Sequence, residues 1–116
     1  MNPNIAVIIP SKNTDNLSEC VWAVEKFQPA IDIVVVWDRQ NGVPDPLICH
    51  RPRFVEGTTP FCFARNINIG IAAAGERDGY VLLNDDALLQ TPGGFNLLYW
   101  AAREHPEYGI ISAVMS

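Results

Sequence analysis

The chain has 116 residues, of which 48% are hydrophobic and 18% charged. That is the size and composition of one globular domain able to bury a core without a disulfide or a structural metal. Its 8 basic and 13 acidic residues give a net charge of -5, which argues against nucleic-acid binding, because gripping a phosphate backbone needs clustered lysine and arginine.

Residues 5–9 form a short, continuously apolar, β-branched run closed by Pro10, and residues 31–37 form another closed by Asp38. Such runs predict strands buried on both faces, as in a parallel sheet. Between them Leu17, Cys20, Val21, Val24 and Phe27 recur at helical spacing, Asn16 and Glu19 are spaced as a capping box, and Pro29 stops the helix. The three segments make one β-α-β unit. Residues 39–52 hold prolines and little periodicity and read as a surface loop, followed by a short strand over 53–56. A second helix is predicted from Thr59 as cap and Pro60 at its first position, with Ala64, Ile67, Ile71 and Ala74 on one face and Gly75 ending it. Gly70 inside it costs ~1 kcal/mol against alanine, so it is expected to let the helix backbone approach the sheet closely. Residues 80–83 form a third strong strand, interrupted by Asn84-Asp85-Asp86. Pro92 opens a third helix with Phe95, Leu98 and Ala102 on its buried side and His105 in its last turn; residues 110–114 read as a last apolar strand. The alternation is α/β throughout, without internal repeats.

The three cysteines, Cys20, Cys49 and Cys62, are odd in number and lack C-x-x-C spacing, which leaves neither a disulfide framework nor a zinc site to be read. A cytoplasmic location is the simple expectation, since the amino terminus has no signal-peptide pattern and no apolar run approaches ~20 residues. Cys20, on the apolar side of the first helix, reads as an inert core thiol.

In an open parallel sheet ligands bind beyond the carboxyl ends of the strands. Here those ends read Pro10-Ser11-Lys12-Asn13, Trp37-Asp38-Arg39 and Asn84-Asp85-Asp86, which puts three carboxylates along one edge. Adjacent acidic residues closing a buried strand cannot both face the interior, and a pair of carboxylates suits a hard divalent cation. A turn with a helix cap is the plain alternative for the triplet. The sequence holds no G-x-x-x-x-G-K-[ST], no G-x-G-x-x-G after the first strand, no H-E-x-x-H and no G-x-S-x-G, which sets aside the corresponding nucleotide-binding, zinc-hydrolase and serine-hydrolase mechanisms.

Residues 5–10 followed by Asn13, the strand ending at Asp38, Phe63-Ala64-Arg65-Asn66 with Gly70 four residues on, and Leu82-Leu83-Asn84-Asp85-Asp86 together resemble, in order and spacing, the signposts of family 2 glycosyltransferases of the GT-A fold. The resemblance implies a Rossmann-like, mostly parallel sheet flanked by helices, and a nucleotide-sugar donor site. Pro10, Ser11 and Asn13 of the first-strand loop, with Asp38, would contact base and ribose; Arg65 and Asn66 would also bind the donor, Arg65 approaching the base or diphosphate. Asn84-Asp85-Asp86 would stand in for the family's D-x-D motif, with Asp86 a ligand of Mn2+ or Mg2+ and Asp85 nearer the ribose or sugar. The implied chemistry is metal-dependent, inverting transfer of a sugar from a nucleotide donor to an acceptor the sequence does not identify. For Arg65 the plain alternative is an ion pair with a neighbouring carboxylate.

Two positions depart from the family pattern. Lys12 stands where the residue before Asn13 is usually aromatic, and the acidic pair after the second strand is reduced to Asp38, preceded by Trp37, which either stacks on a base or fills the core. Complete members of the family also carry a second half with acceptor-binding loops and a general base. Residues 1–116 are therefore expected to form the nucleotide-sugar-binding half of such a domain, inactive alone, with an edge strand at 110–114 that pairs with another copy. A noncatalytic nucleotide or nucleotide-sugar binding module is the alternative from another class. A nucleotidyltransferase-like domain is a second, disfavoured by the lack of a glycine- and lysine-rich first loop.

Overall fold

β-Branched residues alternate between two apolar faces along the first strand, and the architecture follows from that alternation. In a computed structural model that describes residues 3–11, 14–38, 52–58 and 60–107, the elements run β1 (Ile5–Ser11), α1 (Thr14–Phe27), β2 (Asp32–Trp37), β3 (Arg53–Glu56), α2 (Phe63–Ala74), β4 (Gly79–Leu82) and α3 (Gly94–Glu104). The strands form one sheet in the order β3-β2-β1-β4, and every pairing is parallel. This is a Rossmann-like α/β fold.

β1 lies inside the sheet and all its residues are buried. Val7 and Ile9 of β1, with Ile33, Val35 and Trp37 of β2, pack beneath Leu17, Cys20, Val21 and Val24 of α1 and Phe95 of α3. Ala6, Ile8, Val34 and Val36 face the other way, onto Ile67 and Ala74 of α2. Each fully buried valine or isoleucine contributes about 1.5–3 kcal/mol relative to an exposed one, so the two central strands carry most of the driving force. From β1 the chain crosses through α1 to β2 in one direction, and from β3 through α2 to β4 in the other. Two right-handed crossovers of opposite direction need helices on opposite faces, and α1 and α2 occupy opposite faces.

The close approach expected at Gly70 is present: a Cβ built there would lie 2.4 Å from Ile8 Cγ2 and 3.0 Å from Val36 Cγ2. Gly75 ends α2 as expected, at φ 77°. Trp37 is buried among the core side chains and fills space between sheet and α1.

Several boundaries differ from the sequence expectation. α1 begins at Thr14, so Asn16 and Glu19, expected at its start, lie within the helix. α2 begins at Phe63 with Cys62 as its N-cap and no side-chain cap bond, so Pro60 precedes the helix; the expected cap, Thr59, lies outside the described residues. The buried side of α2 is Asn66, Ile67, Gly70 and Ala74, whereas Ala64, placed on that face from the periodicity, is exposed. The close contact at Gly70 turns its side of the helix inward and Ala64 out. α3 starts two residues after Pro92, behind Gly93 at φ 66°. Phe95 is buried and Leu98 packs partly against the same core. The expected strand at 110–114 and all of the 39–52 loop except Pro52 lie outside the described residues. Among the described residues no helix is long and apolar enough to cross a membrane.

At the amino-terminal edge of the sheet, Asp32 Oδ2 accepts from Arg53 Nη2 at 3.1 Å and from Arg77 Nη2 at 2.5 Å. Arg77 also donates to the Ala74 carbonyl and Asn4 Oδ1, and Asp78 Oδ2 accepts the Asn4 amide. This network ties β1, β2, β3 and the end of α2 together at the edge remote from the acidic triplet.

Candidate functional site

The opposite, carboxyl edge carries the residues singled out from the sequence. Parallel register sets Ser11 of β1 beside Trp37 of β2, and Ile8 of β1 beside Leu82 of β4. Beyond those pairs the Asp38 amide donates to the Ser11 carbonyl at 2.9 Å, and the Leu83 amide donates to the Ile8 carbonyl at 3.0 Å. Asp38 and Asn84-Asp85-Asp86 therefore leave the sheet at one edge, on either side of β1.

Ser11 is fully buried. Its hydroxyl donates to Asp85 Oδ2 at 2.9 Å, a contact between residues 74 apart in sequence. The Cys20 thiol, also fully buried, donates to the Asn84 carbonyl at 3.6 Å, and the Ala87 amide closes the turn on that same carbonyl at 3.0 Å. The acidic turn is thus fastened to β1 and to α1. Asp85 remains partly exposed and Asp86 is exposed. Cys20 is a core thiol, as its helical position predicts, with a bond to the turn that periodicity does not reveal.

Asp38 is 4% exposed, a carboxylate drawn into the sheet end rather than displayed on its rim. On its far side the Trp37 carbonyl accepts the Gly57 amide at 2.9 Å, continuing the hydrogen-bonded edge to the segment after β3. There Asn66, in the first turn of α2 and fully buried, accepts through Oδ1 from the Thr58 amide at 2.9 Å and the Thr58 hydroxyl at 3.2 Å. These donors fix which end of the amide is oxygen, and Asn66 Nδ2 is left buried with no hydrogen-bond partner among the described residues. A Cβ at Gly57 would lie 2.9 Å from that side chain, so the asparagine is seated directly against the glycine backbone. Arg65, one residue earlier, is exposed and pairs with no carboxylate among the described residues.

Of the residues selected from sequence, the fold brings Ser11 to Asp85 and sets Pro10 and Asp38 at the same edge. Arg65 and Asn66 belong to the β3–α2 side of that edge. With strands ~4.8 Å apart, the row of strand ends from β3 to β4 spans roughly 14 Å. Lys12 and Asn13 lie outside the described residues. Sequence reasoning did not find Thr58, whose only signal is a turn-forming residue after a short strand.

The donor set at the acidic turn is oxygen from adjacent carboxylates, which fits a hard divalent cation completed by water and ligand phosphate oxygens. Among the described residues no group of three or more His, Cys, Asp or Glu side chains converges as a metal site, so any cation here would depend on the ligand for much of its coordination. A cavity of about 210 Å³ opens at the other end of the sheet, lined by Gln28, Asp32, Arg77 and Asn96 among others. Arg77 and Asp32 are already paired there, so the concavity holds no uncommitted charge, and the strand-end edge is the better candidate on chemical grounds. No protein-family model matches the chain, and no curated protein matches it significantly.

Proposed function

We propose that the carboxyl edge of the sheet is the donor site of a glycosyltransferase resembling family 2, which holds a nucleoside diphosphate sugar for transfer to a hydroxyl acceptor. The observation that carries this reading is the juxtaposition at one edge of a buried aspartate after β2 and an acidic turn after β4, with the Ser11–Asp85 bond joining that turn to β1 between them. Open parallel sheets bind ligands at such an edge.

In this reading Asp38, Pro10 and Asn13 meet the base and ribose, whereas Ser11, expected from sequence among these contacts, is fully buried and bonded to Asp85 and does not. Arg65, exposed in the first turn of α2, supplies positive charge toward the diphosphate. Asn66 acts from beneath, holding Thr58 and so the shape of the β3–α2 segment on which Arg65 stands. Asp86, the exposed carboxylate of the turn, would hold Mn2+ or Mg2+, with Asp85 beside it. When bound, the cation neutralises phosphate charge against an acidic chain and stabilises the departing nucleotide. Inversion at the anomeric carbon is the outcome implied by the family resemblance.

Calorimetric titration with UDP, GDP and dTDP, each with Mn2+ and with EDTA, tests the reading. At least one nucleotide binds ten-fold or more tightly with metal, and Asp86→Ala removes the difference. Equal affinity with and without metal leaves Asn84-Asp85-Asp86 as a turn, and the donor-site reading fails.

A further inference from the structure

We infer that Ser11 is a positioning residue for the acidic turn, acting through its hydroxyl on Asp85 rather than by touching ligand. The inference deepens the donor-site reading and rests on it for its functional consequence. The Ser11 side chain is fully buried and its proton is committed to Asp85 Oδ2 at 2.9 Å. A hydroxyl in that state has no surface to offer a base or ribose. What it does hold is one oxygen of a partly exposed carboxylate, from the end of β1, where Ser11 pairs with Trp37 of β2 and its own carbonyl accepts the Asp38 amide.

Among the described residues, other hydrogen bonds also hold the turn. Cys20 reaches the Asn84 carbonyl at 3.6 Å, a weak thiol bond, and the Leu83 and Ala87 amides bond to the Ile8 and Asn84 carbonyls. The Ser11 bond is the charge-assisted member of this set, and a hydrogen bond to a charged group is the stronger kind. Its loss frees Asp85 to rotate and allows the turn to open, which removes the fixed placement of Asp85 and Asp86 that a metal-bridged ligand requires.

The test combines amide hydrogen exchange with affinity for UDP, GDP and dTDP in the presence of Mn2+, on the wild-type chain, Ser11→Ala, Asp85→Ala and the double variant. In Ser11→Ala, exchange at the Ala87 amide rises about ten-fold while the Gly75 amide at the end of α2 stays unchanged, and nucleotide affinity falls about ten-fold. Asp85→Ala, at a partly exposed position that leaves the buried strand intact, loosens Ala87 equally, and adding Ser11→Ala to it has no further effect on affinity. Unchanged exchange at Ala87 in both single variants overturns the clamp. Loosened exchange with unchanged affinity, or additive affinity losses in the double variant, overturns the positioning role. A wild-type chain that binds none of the three nucleotides overturns the donor-site reading instead, and the exchange data alone then decide the clamp.

Discussion

Gly70→Ala sets two well-characterised effects against each other at the contact that seats α2. Alanine gains ~1 kcal/mol over glycine in a helix interior. The new methyl, however, would lie 2.4 Å from Ile8 Cγ2 and 3.0 Å from Val36 Cγ2, where carbon atoms prefer roughly 3.5–4.0 Å. Both neighbours are fully buried, and a γ2 methyl sits one bond from its Cβ, so neither can swing aside without changing rotamer. Overpacking of this kind costs typically 1–3 kcal/mol, and the severity of the first contact puts it toward the top of that range. The net expectation is a loss of about 1–2 kcal/mol, which for a chain of this length lowers Tm by roughly 4–8 °C. Thermal unfolding followed by far-UV circular dichroism measures it, with Ala72→Gly at an exposed position of the same helix reporting the propensity effect alone. A Gly70→Ala chain as stable as wild type, or more so, would refute the claim that α2 and β1 meet through the missing side chain.

Three other outcomes follow from the same structure. Ala30 holds φ 67°, a conformation that costs a non-glycine residue ~1–2 kcal/mol, so Ala30→Gly should raise stability by about 0.5–1 kcal/mol after the added flexibility of the unfolded chain is subtracted; an unchanged or lower Tm would contradict the strain. Arg77→Ala should lower stability by about 1–3 kcal/mol, because a guanidinium bonded to Ala74, Asn4 and Asp32 is lost from a site only 15% exposed, whereas Arg53→Ala, on a side chain 51% exposed, should cost less than ~1 kcal/mol and matter less as salt rises; denaturant titrations at low and high ionic strength separate the two. Gly57→Ala should destabilise the β3–α2 segment by about 1–3 kcal/mol, since its Cβ would strike the buried Asn66 side chain at 2.9 Å; wild-type stability in urea would show that the asparagine can yield.

The central strands were legible because burial on both faces leaves a direct mark, an uninterrupted β-branched run, and β1 and β2 carry one each. The glycine within α2 was legible for a related reason, because an interior glycine that lowers helix propensity implies a close contact. Helix starts were less so. Thr59-Pro60 has the local chemistry of an N-terminus, yet the chain runs on to Phe63 before turning helical, with Thr58 drawn to Asn66 by a tertiary contact. No local pattern marks Asn66 as fully buried, since an asparagine in a first turn ordinarily faces water. At the candidate site, the strand-end carboxylates could be placed along one edge from chain order alone. The pairing of Ser11 with Asp85 joins the end of β1 to the turn after β4, 74 positions apart, and no spacing rule encodes it.

Ligand bound at the carboxyl end of the sheet is what the donor site requires. Amide chemical-shift mapping during titration with UDP, GDP or dTDP in the presence of Mg2+ tests this directly. A donor site at the carboxyl edge shifts Ser11, Asp38, Arg65 and Asn84 to Ala87, and leaves Gln28, Asp32, Arg77 and Asn96 at the opposite edge unmoved. Shifts confined to that opposite edge, or none at saturating concentrations of all three nucleotides, would contradict it.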